Sequence, residues 1–180
     1  MKFTETELSG SFVIEVKKIE DDRGFFGRLW CEEEFNKYNL NTNIVQSNVS
    51  LSKNKGTLRG MHFQRSPHQE TKLVRCTKGA VYDVIIDLRP ESPTFKKWFG
   101  VKLSEDNHKM IYVPENFAHG FLTLEDNSEV YYLVTQFYSK EAEAGLRWND
   151  PAFDIQWPSE IKEISEKDNR HANFNLKDII

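Results

Sequence analysis

The sequence predicts an all-β fold, a double-sheet jelly roll or barrel with a few short helices, mainly near the C-terminus. Three observations carry that reading. Nine short strand-like runs recur at regular spacing with turn signals between them. Thirteen Phe, six Tyr and four Trp suit pleated, half-buried surfaces and a lined cavity better than a helical bundle. Helical signals are confined to two stretches.

Taken in order, the runs are SFVIEV (11–16), NIVQSNVSLS (43–52), TLRGMHFQ (57–64), KLVRC (72–76), AVYDVIIDL (80–88), WFGVKL (98–103), KMIYVP (109–114), HGFLTL (119–124) and VYYLVTQF (130–137). Each is rich in β-branched or aromatic residues. Turn signals such as TKG (77–79), EDN (105–107) and EDNS (125–128) punctuate them. CEEEFNKYN (31–39) has the length of about two helical turns. SEIKEISEKDN (159–169) opens on Ser159, a residue type suited to cap a helix. The tail after Trp157 is more polar and is expected to pack on the barrel as short helix and loop. With 180 residues, no repeat and no low-complexity linker, residues 1–180 are expected to form a single domain.

Composition narrows the function classes. A net charge of −4 provides no global basic field for nucleic acid or an anionic membrane, so a polyanionic ligand requires a local cluster of cations. Cys31 and Cys76 form no CxxC pair, a pattern that fits a reducing compartment. The N-terminal MKFTETELSG lacks the apolar segment of a secretory signal, and no apolar run reaches the roughly 20 residues that span a bilayer. The expectation is a cytoplasmic protein.

Several stretches place chemistry on strands. In LRGMHFQ (58–64), strict alternation points Arg59 and His62 to opposite faces unless the strand bulges, and Gly60 is the residue that permits a bulge. In KLVRC, Lys72 shares a face with Val74 and Cys76, as an inward ammonium or as a surface lysine laid along apolar neighbours. Only one of Tyr131 and Tyr132 can enter a cavity. DDRGFF (21–26) sets Arg23 beside aromatic rings, a combination suited to a phosphate and a base or sugar ring, or simply to a surface turn before core Phe residues. His62, His68, Glu70 and His119 resemble the ligands of metal-binding cupins. The paired H-x-H step of those proteins is broken here by Gln64, a poor ligand, and no metal is expected.

DDRGFFGRLW, VQSNVSLS, GTLRGMHFQ, the long block from KLVRC to VKLS, VPENFAHGFLTL, the block from EVYYLV to DIQWP, and SEKD together resemble, in order, the dTDP-4-dehydrorhamnose 3,5-epimerase family. The resemblance spans about residues 11 to 170. It implies a cupin-like jelly roll, a homodimer, no cofactor, and a nucleotide-linked 4-keto-6-deoxyhexose as substrate in L-rhamnose biosynthesis. By the same resemblance His62 is the catalytic base, Asp168 its carboxylate partner, Lys72 the cation at the keto oxygen and Tyr132 the general acid. Arg23, Phe26, Gln46, Asn48, Arg59 and Tyr138 match substrate-contacting positions, and His119 a substrate-site position of structural character. The chain departs from the family at Arg28, Ser47, Val49 and Leu133, positions that bear on which nucleotide, which sugar and how many centres are inverted. A mono-epimerase of C3 or C5 is the nearest alternative. A metal-dependent cupin enzyme and a non-catalytic sugar-binding jelly roll are the other two.

Overall fold

A computed structural model describes residues 1–179. Strands β1 (Lys2–Glu5), β2 (Phe12–Glu15), β3 (Lys18–Asp21) and β4 (Gly24–Gly27) precede helix α1 (Glu32–Asn36). Then come β5 (Gln46–Ser52), β6 (Thr57–Gln64), β7 (Lys72–Lys78), β8 (Ala80–Asp87), β9 (Trp98–Ser104), β10 (Met110–Val113), β11 (Phe117–Thr123), β12 (Ser128–Val134) and β13 (Glu143–Gly145). The chain closes with β14 (Glu163–Ile164), helix α2 (Glu166–Asn169) and a single 3₁₀ turn (Leu176–Asp178).

Two sheets face each other. The first runs β1-β2-β10-β7-β12-β5; the second runs β13-β6-β11-β8-β9, with β14 added parallel to β6. Between them lies an apolar layer that includes Val74, Cys76, Val81, Ile85, Leu103, Ile111, Phe121 and Val130. The inward face of β7 thus carries Lys72, Val74 and Cys76, as alternation requires. The Lys72 side chain is only 12% exposed, so it is an interior ammonium and no surface lysine. Burial pushes the Cys76 thiol up to about 11, which leaves it inert, and both cysteines are free.

Each sheet also has an outer cover. Met61, Phe63, Val84, Ile86, Ala118 and Leu146 pack behind the second sheet against Phe153, Trp157 and Phe174 of the C-terminal segment. On the first sheet, Phe35 of α1 packs with Phe12, Ile14, Leu73, Met110 and Tyr112. The edge of that outer face is uncovered: Val49 is 63% and Leu51 49% exposed on edge strand β5.

The predicted fold class stands, with local corrections. The β3–β4 hairpin was not expected, because its four-residue strands are exposed almost throughout and carry no buried alternation to reveal them. The stretch 159–169 is not one helix. Glu163 and Ile164 pair with Thr57 and Leu58, and the helix begins only at Ser165, whose side chain accepts the Asp168 N–H. The cap is therefore Ser165, not Ser159.

The bulge in β6 is present. His119 faces His62 and Phe121 faces Arg59, so three steps on β6 match two on β11. Gly60 makes this possible. Its φ is +126°, and a Cβ there would stand 2.6 Å from the Cα of Gly120 and 2.9 Å from the His119 carbonyl oxygen. Backbone meets backbone, with nothing soft to yield. We expect Gly60→Ala to cost on the order of 2–4 kcal/mol in chemical denaturation; a loss below about 0.5 kcal/mol would contradict this account of the bulge.

Candidate active site

The bulge turns both Arg59 and His62 toward the space between the sheets. They line a cavity of about 480 Å³ together with Lys72, His119, Tyr132, Lys167 and Asp168. A smaller adjoining cavity of about 230 Å³ shares His62, Lys72 and Tyr132 and adds Gln46, Asn48, Glu70, Tyr138 and Glu143.

His62 is fixed from behind. Its Nε2 lies 2.7 Å from Asp168 Oδ1, and the other carboxylate oxygen accepts the Gly60 N–H at 3.2 Å. Because β14 runs beside the start of β6 and Ser165 caps α2, the carboxylate emerges directly behind the imidazole. Burial alone raises the pKa of Asp168. The hydrogen bond and charge of His62, with the Gly60 N–H, outweigh it and hold the carboxyl below its ordinary value. An ionised carboxylate at Nε2 keeps the proton on that nitrogen and leaves Nδ1 with its lone pair.

The opposite wall belongs to the first sheet. Lys72 pairs with Glu70 at 3.1 Å, and Tyr132 projects inward from β12 beside Val74. Tyr131 faces outward and bonds to the Ser47 hydroxyl at 2.9 Å. The Tyr132 phenol has a raised pKa, first from burial and then from the Glu70 charge, with Arg59 opposing. It is therefore fully protonated at neutral pH and able to donate.

Arg59 is aimed by Ser52 Oγ at 3.0 Å and the Leu51 carbonyl at 3.1 Å. Lys167 reaches Glu143 Oε1 at 2.5 Å, while the Tyr138 hydroxyl donates to Glu143 Oε2 at 3.1 Å. The Gln46 side chain accepts the Tyr138 N–H at 2.8 Å. His119 is buried, its Nε2 within 3.0 and 2.9 Å of the two Asp83 oxygens.

Of the residues singled out in the sequence, His62, Asp168, Lys72, Tyr132, Arg59, His119, Gln46, Asn48 and Tyr138 meet at the two cavities. Arg23 and Phe26 do not. Arg23 is at the tip of the β3–β4 hairpin, 89% exposed and paired with Asp21 at 2.6 Å, and Phe26 is 66% exposed. Sequence reasoning did not single out Lys167, Glu143 or Asp83. The one usable signal was Lys167, next to Asp168 in SEKD; Glu143 acts on Lys167 of α2 and on Tyr138, and Asp83 on His119 of β11, partners far away in the chain or in other elements.

The cupin ligand set is not assembled. Gln64, in the place of the second histidine, is a clamp: its amide nitrogen donates to the His68 and Phe137 carbonyls at 3.0 and 3.2 Å, and its oxygen accepts the Ser139 N–H at 2.7 Å. Glu70 is engaged by Lys72, and His119 by Asp83.

A family model described as dTDP-4-dehydrorhamnose 3,5-epimerase matches residues 5–176. A protein of that name from Sinorhizobium fredii is 43% identical, over 97% of this chain and 90% of its own length. The crystal structure of the Elizabethkingia anophelis dTDP-4-dehydrorhamnose 3,5-epimerase superimposes with a TM-score of 0.95 at 39% identity, covering 99% of this chain and 98% of that one. The Bacillus anthracis enzyme of the same name, solved with TDP and PPi bound, gives 0.92 at 42% identity over 96% and 99% of the two chains. By sequence and by fold, the chain belongs to the dTDP-4-dehydrorhamnose 3,5-epimerase family.

Proposed function

We propose that this chain inverts C3 and C5 of dTDP-4-dehydro-6-deoxy-D-glucose, giving dTDP-4-dehydro-L-rhamnose through enolate intermediates. One observation carries the mechanism: a histidine on one sheet, backed by the Asp168 carboxylate of α2, looks across at a protonated tyrosine and a buried lysine on the sheet facing it. A proton removed at one wall and returned from the other inverts a carbon; a base and acid on the same wall would not.

The C–H bonds flanking a ketone are acidic because the resulting charge moves onto the oxygen. His62 accepts the proton at Nδ1, and Asp168 stabilises the imidazolium that forms. Lys72 stabilises the enolate oxygen in a site shielded from water. Tyr132 then protonates carbon from the opposite face, since the enolate is a far stronger base than a phenolate. The same steps at the second carbon complete the reaction, and they need no cofactor. Arg59 and Lys167, which both line the larger cavity, supply the cations for the diphosphate, and Gln46, Asn48 and Tyr138 line the neighbouring space for the nucleotide.

The functional unit in this reading is a homodimer of single-domain chains. Its support is the uncovered edge strand β5 of the first sheet, where Val49 and Leu51 are exposed beside Tyr131, and the extended hairpin bearing Arg23 and Phe26. In the dimer that hairpin completes the partner's nucleotide site. A nucleotide-sugar substrate and two free thiols suit the cytoplasm. Among the described residues no helix is long and apolar enough to cross a membrane.

In deuterated water with the dTDP-keto sugar, NMR should show deuterium at C3 and C5 with inversion. His62→Ala should abolish exchange, and Tyr132→Phe should retain exchange while losing inversion. Deuterium at a single carbon would make the chain a mono-epimerase instead. Lys72→Ala should lower kcat by about 100-fold, by analogy with loss of one oxyanion donor; an unchanged kcat would remove Lys72 from the mechanism. Leu51→Asp should shift light scattering from the dimer mass to that of one chain, with KM rising as the hairpin leaves the partner's site. A wild-type protein that already scatters as a single chain would refute the dimer.

A further inference from the structure

A third side chain shares the space around the catalytic pair. His171 follows α2, and its ring stands 6.3 Å from the His62 ring, edge to face. Its Nε2 is shielded from solvent and has no hydrogen-bond partner. A buried imidazole nitrogen without a partner has given up the hydrogen bond it makes in water with nothing in return, so the position calls for an explanation. Room for the ring is made by Gly145, the residue paired with His62 across β13 and β6. A Cβ on Gly145 would fall 2.2 Å from His171 Nε2, so any larger residue at this position would displace the imidazole.

One donor atom each from His62, Asp168 and His171 lies within 4.8 Å of the others. Two imidazoles and a carboxylate are the donor set of an open tetrahedral zinc site, with the fourth position left to water. At metal–ligand distances near 2.0–2.1 Å, donors in such a site stand roughly 3.3 Å apart. Closing from 4.8 Å is within the reach of side-chain rotation on a loop residue. The cavity's ammonium groups do not stand unopposed against a cation, because Lys167 is paired with Glu143 and Lys72 with Glu70.

We infer that His62, Asp168 and His171 form an inhibitory site for zinc and similar borderline-soft divalent cations, poised on the catalytic base. The ion replaces the proton between His62 Nε2 and Asp168. With Nε2 metallated, the neutral imidazole carries its single proton on Nδ1, the nitrogen that would otherwise accept the substrate proton. The proton released from Nε2 passes to Nδ1, and the lone pair needed for the reaction is lost. Such an ion is an inhibitor and no cofactor. Binding itself follows from the three side chains alone; inhibition rests additionally on His62 being the base.

The test uses chelator-treated full-length protein. Calorimetry with zinc chloride should give one ion per chain, weakened at least tenfold by His171→Gln, while magnesium chloride should give no heat of binding. In ¹⁵N-labelled wild type, zinc should move the ring signals of His62 and His171 and spare His68, His108 and His119. Turnover should fall with zinc, recover on adding chelator, and be at least tenfold less sensitive in His171→Gln, each protein measured against its own zinc-free rate. No zinc binding, equal affinity in the variant, or shifts confined to the other histidines would overturn the site. Zinc bound at His62 and His171 without inhibition would overturn the inhibitory role and the assignment of His62 as base. Failure of the zinc-free protein to turn over the dTDP-keto sugar would count against the epimerase reading, while calorimetry and NMR would still decide the site.

Discussion

Everything at the cavity depends on the approach of one strand to another at Gly60 and Gly120, where neither position has space for a side chain. The contact permits the extra residue in β6, and the extra residue brings Arg59 to the same side as His62. It also frees the Gly60 N–H from the ladder to bind Asp168. One backbone accommodation therefore places a cation, aims the His62 imidazole and anchors the carboxylate that orients it. No side-chain interaction in the cavity has consequences of that breadth.

Charge is the second constraint. Arg59, Lys72 and Lys167 converge in a chain that is net acidic, and each is held by a local acceptor. Arg59 uses a hydroxyl and a carbonyl, Lys72 uses Glu70, and Lys167 uses Glu143. These pairings keep the cations in fixed positions without a ligand, which lowers the ordering cost when a polyanion enters. Glu70 has a double effect, steadying Lys72 while its charge helps keep the Tyr132 phenol protonated.

How far the sequence revealed this follows the range of the interactions. The bounds of β6 and its bulge were legible because Gly60 breaks a local alternation, and the burial of Lys72 was one of the two outcomes its strand face allowed. The hairpin of β3 and β4 was not, since its exposed residues obey no core periodicity. Residues 159–169 read as a helix because Ser159 is a capping residue type, yet Ile164 is drawn into a strand beside Leu58, a partner more than a hundred residues away. The pairings of Asp83 with His119, Glu143 with Lys167, and the placing of His171 over Gly145 join residues from separate elements. No local pattern encodes them, whereas ordered resemblance over seven blocks singled out His62, Asp168, Lys72, Tyr132 and other side chains that line the two cavities.

In the proposed mechanism base and acid stand on different sheets, which makes the spacing of the sandwich a dimension of the reaction coordinate. Facing sheets settle about 10 Å apart according to the side chains between them, here residues such as Val74, Val81, Ile85, Leu103 and Val130. A misplacement of about 1 Å at reacting groups can cost 100-fold in rate. The aliphatic layer thus acts as a spacer gauge, and its tolerance to substitution is set by the chemistry at its edge as much as by stability. A methylene gained or lost well away from His62 and Tyr132 alters the width of the gap that the sugar must bridge.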